Sequence, residues 1–195
     1  MLEVIGSHRS RAFRVLWMLE ELGEPYRHTA AKPHSPEVLR YNPSGKIPLL
    51  IVDDAVITDS VAILHFLADR SARMTFPAGS LERAEQDGWT HRILDELDAC
   101  LWTAAKHSFV FPEEWRREEI KPALKWEFAG AVSRVAERME DGPFLMGAGV
   151  TVPDILLTHC LSWARIAKFE HSEAKVENYF DRLRARAAYR KAAAL

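Results

Sequence analysis

The periodicity of the chain changes once, near residue 75, and that change restricts the fold more than any single motif. Before it, strand and helix signals alternate every few residues; after it, the apolar spacing is helical throughout. LEVIG (2–6) reads as a short strand, and RAFRVLWMLEEL (11–22) places Val15, Leu16, Leu19 and Leu22 at helical spacing. Gly23, with Pro25 just beyond, supplies the helix stop. YRHTA (26–30) fits a second strand, which a helical connection makes parallel to the first. SPEVLRY (35–41) is a weak helix or irregular turn. PLLIV (48–52) and AVI (55–57), separated by Asp53 and Asp54, read as a hairpin. Ser60 is then expected to cap VAILHFLADR, whose Val61, Ile63, Leu64, Phe66 and Leu67 predict deep burial.

SARMTFPAGS (71–80), with Pro77 and Gly79, suits a linker. Helices are predicted beyond it at 81–108, 113–140, 151–168 and 173–191. The expectation is a mixed α/β domain over residues 1–75 and an all-helical domain over 76–195.

Composition narrows the function by exclusion. A net charge of -2 gives no electrostatic reason for a nucleic-acid or membrane partner. The basic RLRARAAYRK (182–191) reads as a solvated helix end, where cations suit the helix dipole. No apolar run reaches the ~18 residues of a membrane span, and MLEVIGSHRS lacks a signal-peptide layout, so a cytoplasmic protein is expected. Cys100 and Cys160 are far apart and outside any C-x-x-C, which predicts buried, inert thiols. The eight histidines show no ligand spacing, so no metal is expected.

NPSGKIPLL, TDSVAILHFLAD and GVTVPDILL, in that order, resemble the cytosolic glutathione transferase family over nearly the full length. The resemblance implies a thioredoxin-like N-terminal domain, an all-α C-terminal domain, glutathione as co-substrate, a small electrophilic partner substrate, a homodimer and no metal. Glutathione carries two carboxylates, an amine and a thiol, so its site must satisfy a peptide backbone and several charges together. Ile47-Pro48 resembles the family's cis-proline turn, which frees the N–H and C=O of Ile47 to pair with the ligand backbone. The alternative is an ordinary trans proline opening an edge strand. Asp59 and Ser60 precede a helix whose N-terminal donors suit the γ-glutamyl carboxylate, with Asp59 accepting the ligand amine. Lys46 and His34 are the candidates for the glycyl carboxylate.

The family's thiol-activating residue falls within SHRSRAF (7–13), which holds neither tyrosine nor cysteine. Ser10, four residues before Arg14, matches the spacing of theta- and delta-type members; Ser7 is the alternative. His8, Arg9 and Arg11 beside it either favour an anionic electrophile or are solvated loop charges. Trp102, His107, Phe109, Phe111 and Trp115 lie where the second substrate pocket is expected, or else pack the core. Thr151 and Asp154 form a T-x-x-D pattern assigned to helix capping. The reading is a serine-type glutathione transferase. Its alternatives are a glutathione-dependent isomerase or dehalogenase, and a non-catalytic glutathione-binding protein of the same fold.

Overall fold

A computed structural model describes all 195 residues. It divides into two compact units, Met1–Ser80 with Leu183–Leu195, and Leu81–Arg182.

The first unit is built on a four-stranded sheet of order β2-β1-β3-β4. Its elements are β1 (Leu2–Ile5), α1 (Ala12–Leu22), β2 (Tyr26–Thr29), α2 (Pro36–Leu39), β3 (Leu49–Val52), β4 (Ala55–Thr58) and α3 (Ser60–Ser71). β1 and β2 are parallel, while β3 runs antiparallel to both β1 and β4. This is the thioredoxin-like arrangement. α1 ends at Gly23, whose φ of 70° is the left-handed cap that only glycine adopts without cost. The β3–β4 turn places Asp53 at φ 52°, a conformation that aspartate tolerates better than most residues.

Ile5, Ala31, Val38 and Leu49 form one core cluster, with Tyr41, Ile47 and Ile51 packed against it. On α3, Ile63, Leu64 and Leu67 are buried as expected, whereas Val61 and Phe66 are only half-buried. α9 (Ala187–Ala193) also belongs to this unit. The Tyr189 ring meets Phe13 and Trp17 edge-on, each at 5.0 Å between centroids. Arg186 forks onto Glu21 at 2.6 and 2.7 Å, and Lys191 meets Glu20 at 2.6 Å.

The second unit is all-α: α4 (Leu81–Arg92), α5 (Ala99–Ala105), α6 (Lys121–Arg138), α7 (Val152–Ala167) and α8 (Ala174–Arg184) as far as Arg182. The π-helical stretch Ile93–Asp98 joins α4 to α5 in one continuous helical run, which a second, Lys106–Val110, extends. Two boundaries differ from the sequence reading. The helix expected from 113 begins at Lys121, after two 3₁₀ turns, because Pro122 is accommodated only in a first turn. The helix expected over 173–191 breaks at Arg186, whose ψ of 140° is extended and whose guanidinium is committed to Glu21.

Candidate active site

Sheet register assembles the first half of the site. Ile5, Leu49 and Thr58 form one row across β1, β3 and β4. The next residues beyond that row, in space, are Gly6, Pro48 and Asp59. Three loops far apart in sequence therefore emerge at one edge of the sheet.

Gly6 lies at the tightest point. At φ 145° it carries a conformation suited to glycine, and a Cβ there would stand 2.9 Å from Ala12 Cβ and 3.3 Å from Ile47 Cβ. Its carbonyl meets His28 Nε2 at 2.8 Å. The turn that follows is held by its own serines. The Ser10 N–H and the Ser10 hydroxyl both donate to the Ser7 carbonyl, at 3.0 and 2.7 Å. Ser10 Oγ in turn accepts the Ala12 N–H at 3.1 Å, at the start of α1. Ser7 Oγ accepts from the Arg9 N–H at 3.2 Å. Both serines are half-buried. The Ser10 hydroxyl must leave the Ser7 carbonyl to serve another acceptor, and one staggered rotation of the side chain achieves that.

The second loop is closed by Asn42. Its Oδ1 accepts from the N–H and hydroxyl of Ser44, and its Nδ2 donates to the Lys46 carbonyl at 3.0 Å. Gly45, at φ 67°, is covered by the His34 ring, and a Cβ on it would lie 2.0 Å from His34 Nδ1. His34 also donates its N–H to the Gly45 carbonyl at 2.8 Å. His34 and Lys46 therefore share one turn, and both are exposed. The Ile47-Pro48 peptide bond is cis. Pro48 is buried and Ile47 half-buried, and the chain's own hydrogen bonds leave the N–H and C=O of Ile47 untaken.

The third loop corrects one sequence expectation. Asp59, not Ser60, caps α3: its Oδ1 accepts from the N–H groups of Val61 and Ala62 at 2.8 and 3.1 Å. Asp59 sits at φ 71° outside the helix, from which its carboxylate reaches back over the first turn. Ser60 is already helical and 2% exposed, and its Oγ accepts from Arg14 Nη1 at 3.2 Å. The cap leaves the Ser60 N–H as an open first-turn donor.

All seven candidate residues thus lie in the first unit. Ile47 meets the Ser7–Ser10 turn at Gly6, His34 meets Lys46 at Gly45, and Arg14 ties the helix after Ser10 to Ser60. Sequence reasoning passed over two contributors. Gly6 was legible only as the last residue of an expected strand. Arg14 carried a signal, a lone charge amid the apolar AFRVLWML, that points to a buried partner.

In the second unit, His107 and Phe111 meet edge-on at 5.1 Å and His107 Nδ1 accepts the Arg117 N–H at 3.0 Å, while Phe109 and Trp115 stay exposed at 68% and 65%. Both cysteines are buried, and burial, followed by the Glu127 carboxylate, pushes the Cys100 thiol up to about 12. That thiol is no nucleophile near neutral pH.

Comparison with known proteins agrees with this fold. The family model described as the N-terminal domain of glutathione S-transferase matches residues 9–70, a span that contains all seven candidate residues. Glutathione S-transferase GstA of Escherichia coli O157:H7 is 28% identical over 72% of this chain and 71% of its own. Elongation factor 1-gamma of Trypanosoma cruzi is 30% identical over 71% of this chain, which spans only 33% of that longer protein. The crystal structure of a glutathione transferase from Methylococcus capsulatus superposes with a TM-score of 0.84 at 25% identity, covering 98% of this chain and 97% of that one. With its thioredoxin-like domain followed by an all-α domain, the chain is similar to glutathione transferases over nearly its whole length, and residues 9–70 match the N-terminal domain of that family.

Proposed function

We propose that this chain conjugates the thiolate of glutathione to small, mostly apolar electrophiles, with Ser10 holding the thiolate. The observation that carries the reading is the shared edge of the sheet, where hydroxyls, an untaken peptide unit and a capped helix start converge. Ile47 pairs with the ligand backbone through its open N–H and C=O. The Ser60 N–H and hydroxyl take the γ-glutamyl carboxylate, and the uncommitted oxygen of Asp59 takes the amine. Lys46 and His34 face the glycyl carboxylate from their common turn.

The thiol chemistry follows from magnitudes. A free thiol has a pKa of ~8.5, so about 3% is ionised at pH 7, and lowering the pKa by ~2 units needs ~2.7 kcal/mol of preferential stabilisation. A hydrogen bond to a charged acceptor supplies ~1.5–3 kcal/mol, and the N-terminus of α1 adds ~0.3–1 kcal/mol. Ser10 donates its O–H and is no base. The ionised fraction rises ~25-fold at pH 7 while intrinsic nucleophilicity falls ~10-fold, so activation of the thiol is a few-fold. Holding the electrophile beside the sulfur supplies the larger share of the rate. The working form is read as a cytoplasmic homodimer; no helix is long and apolar enough to cross a membrane.

A second reading has its own observation. The Ser10 hydroxyl is satisfied by the Ser7 carbonyl, and a protein that binds glutathione without activating it would keep that bond. Titrating bound glutathione by its ultraviolet thiolate absorbance, in the native protein and in Ser10→Ala, separates the two. A bound-thiol pKa well below ~8.5 that returns toward it in Ser10→Ala is the expected result. Tight binding with an unshifted thiol selects the binding protein. A shift that survives Ser10→Ala transfers the role to Ser7.

A further inference from the structure

Arg14 is the one fully buried cation whose place the reading above leaves unexplained. It is 1% exposed, one turn into α1 from Ser10, and its Nη1 donates to Ser60 Oγ at 3.2 Å across 46 residues of sequence. Burying a guanidinium is costly, and an apolar side chain of similar volume would fill the same space without that cost. Ser60 is one of the partners of Arg14 there, and a hydrogen bond placed at the proposed γ-glutamyl end has a reason beyond packing.

The direction of that bond supplies one. A guanidinium has donors only, so the contact must use a lone pair of Ser60 Oγ. The Ser60 proton is then left for an acceptor outside the chain. The cap at Asp59 occupies the N–H groups of Val61 and Ala62 and leaves that of Ser60 open. Ser60 is left presenting two donors, N–H and O–H, with a permanent positive charge behind its oxygen. Donors of that kind match a carboxylate.

We propose that Arg14 is a positioning residue: by holding Ser60 Oγ as an acceptor it commits the Ser60 hydroxyl to donate to the γ-glutamyl α-carboxylate, and so sets the selectivity of the site for a ligand that carries this group. The inference rests on the reading of Asp59 and Ser60 as the γ-glutamyl end. Arg14 touches no ligand itself and acts through Ser60.

The test compares two ligands. Glutathione and 4-aminobutyryl-cysteinyl-glycine differ only in the α-carboxylate, and the ratio of their dissociation constants, measured by calorimetry, isolates that group. The native protein is expected to prefer glutathione by roughly 10- to 100-fold, the range of a charge-assisted hydrogen bond. In Arg14→Met the ratio is expected to fall ~5-fold or more, in Ser60→Ala by a similar factor, and in the double variant no further than in either single one, because both remove one coupled contact. A purely structural Arg14 would weaken both ligands equally and keep the ratio, and that result overturns the proposal. Arg14→Gln, polar and too short to reach Ser60, replaces Arg14→Met should the latter fail to fold; an unchanged ratio in whichever variant folds is equally fatal. If the native protein shows no preference and Ser60→Ala changes nothing, the assignment of Asp59 and Ser60 to the γ-glutamyl end falls, and the role of Arg14 with it. A native preference that Ser60→Ala abolishes and Arg14→Met leaves intact removes Arg14 alone.

Discussion

Two helices of this chain begin under an aspartate, and the two carboxylates have opposite fates. At α7, Asp154 is fully buried in a capping box and accepts four hydrogen bonds: from the Thr151 N–H and hydroxyl at 2.8 and 2.7 Å, the Leu145 N–H at 2.9 Å and the Tyr179 hydroxyl at 2.7 Å. At α3, Asp59 is exposed, commits one oxygen to two N–H groups and leaves the other open. Burial pushes the Asp154 carboxyl upward against the pull of its donors, and burial again drives the Tyr179 hydroxyl well above its ordinary range. A saturated carboxylate has nothing left for a ligand. A half-committed one at a helix start does, so on the proposed function satisfaction, more than residue type or motif, separates a structural cap from a binding cap.

The sharpest way to break this contrast is to delete the buried member. Asp154→Ala leaves the Thr151, Leu145 and Tyr179 donors without their acceptor in a dry interior, and each orphaned donor costs ~1–3 kcal/mol. A loss of at least ~3 kcal/mol in urea unfolding is expected, with glutathione affinity per folded molecule unchanged. A loss below ~1 kcal/mol would mean that water reaches the network and that its saturation is not structural.

The exposed member is expected to respond in the other coordinate. Asn caps a helix as well as Asp and tolerates positive φ, so Asp59→Asn is expected to leave stability within ~0.5 kcal/mol of native. It removes the charge proposed to meet the ligand amine, and glutathione affinity is expected to drop roughly 10-fold, the lower end for a charged hydrogen bond because the site is exposed. Asp59→Ala loses the cap as well, at ~1 kcal/mol. Equal affinity of native and Asp59→Asn protein, measured by calorimetry, would make Asp59 a cap and nothing more.

This contrast also marks how far the sequence could be read. The order of elements up to α3 was legible because each is short, uniformly periodic and punctuated by Gly23, Pro25 and the Asp53-Asp54 turn. Asp59 and Ser60 were legible as a helix start, but the sequence pointed to Ser60 as the cap where the structure uses Asp59. That choice turns on the Asp59 φ of 71°, a backbone state that residue type permits without dictating. Asp154 was legible as a local pattern, whereas its Tyr179 and Leu145 donors arrive through packing. Arg14 on Ser60 and Tyr189 on Phe13 and Trp17 are contacts between distant residues, and spacing along one element carries no information about them. The break at Arg186 has the same origin, since no glycine or proline marks it and its ion pair with Glu21 lies far off in sequence.

A third aspartate supplies the control. Asp53 turns the β3–β4 hairpin at φ 52°, and its carboxylate meets the Met1 ammonium at 2.6 Å with both groups largely exposed. That hydrogen bond, and then the charge behind it, hold the Asp53 carboxyl below its ordinary value. An exposed pair of this kind is screened by salt and solvated on every other side, so the charge itself contributes little to stability. The backbone conformation contributes more. Asp53→Asn keeps a side chain that accepts φ near 52°, and no measurable change in the unfolding midpoint or in glutathione affinity is expected. Asp53→Val puts a β-branched residue into the same turn and is expected to lower the midpoint while affinity stays at the native value. If Asp53→Asn weakened glutathione binding as much as Asp59→Asn, the effect would have to be long-range electrostatics shared by every aspartate of this unit, and the distinction between a committed and an open carboxylate oxygen would lose its force.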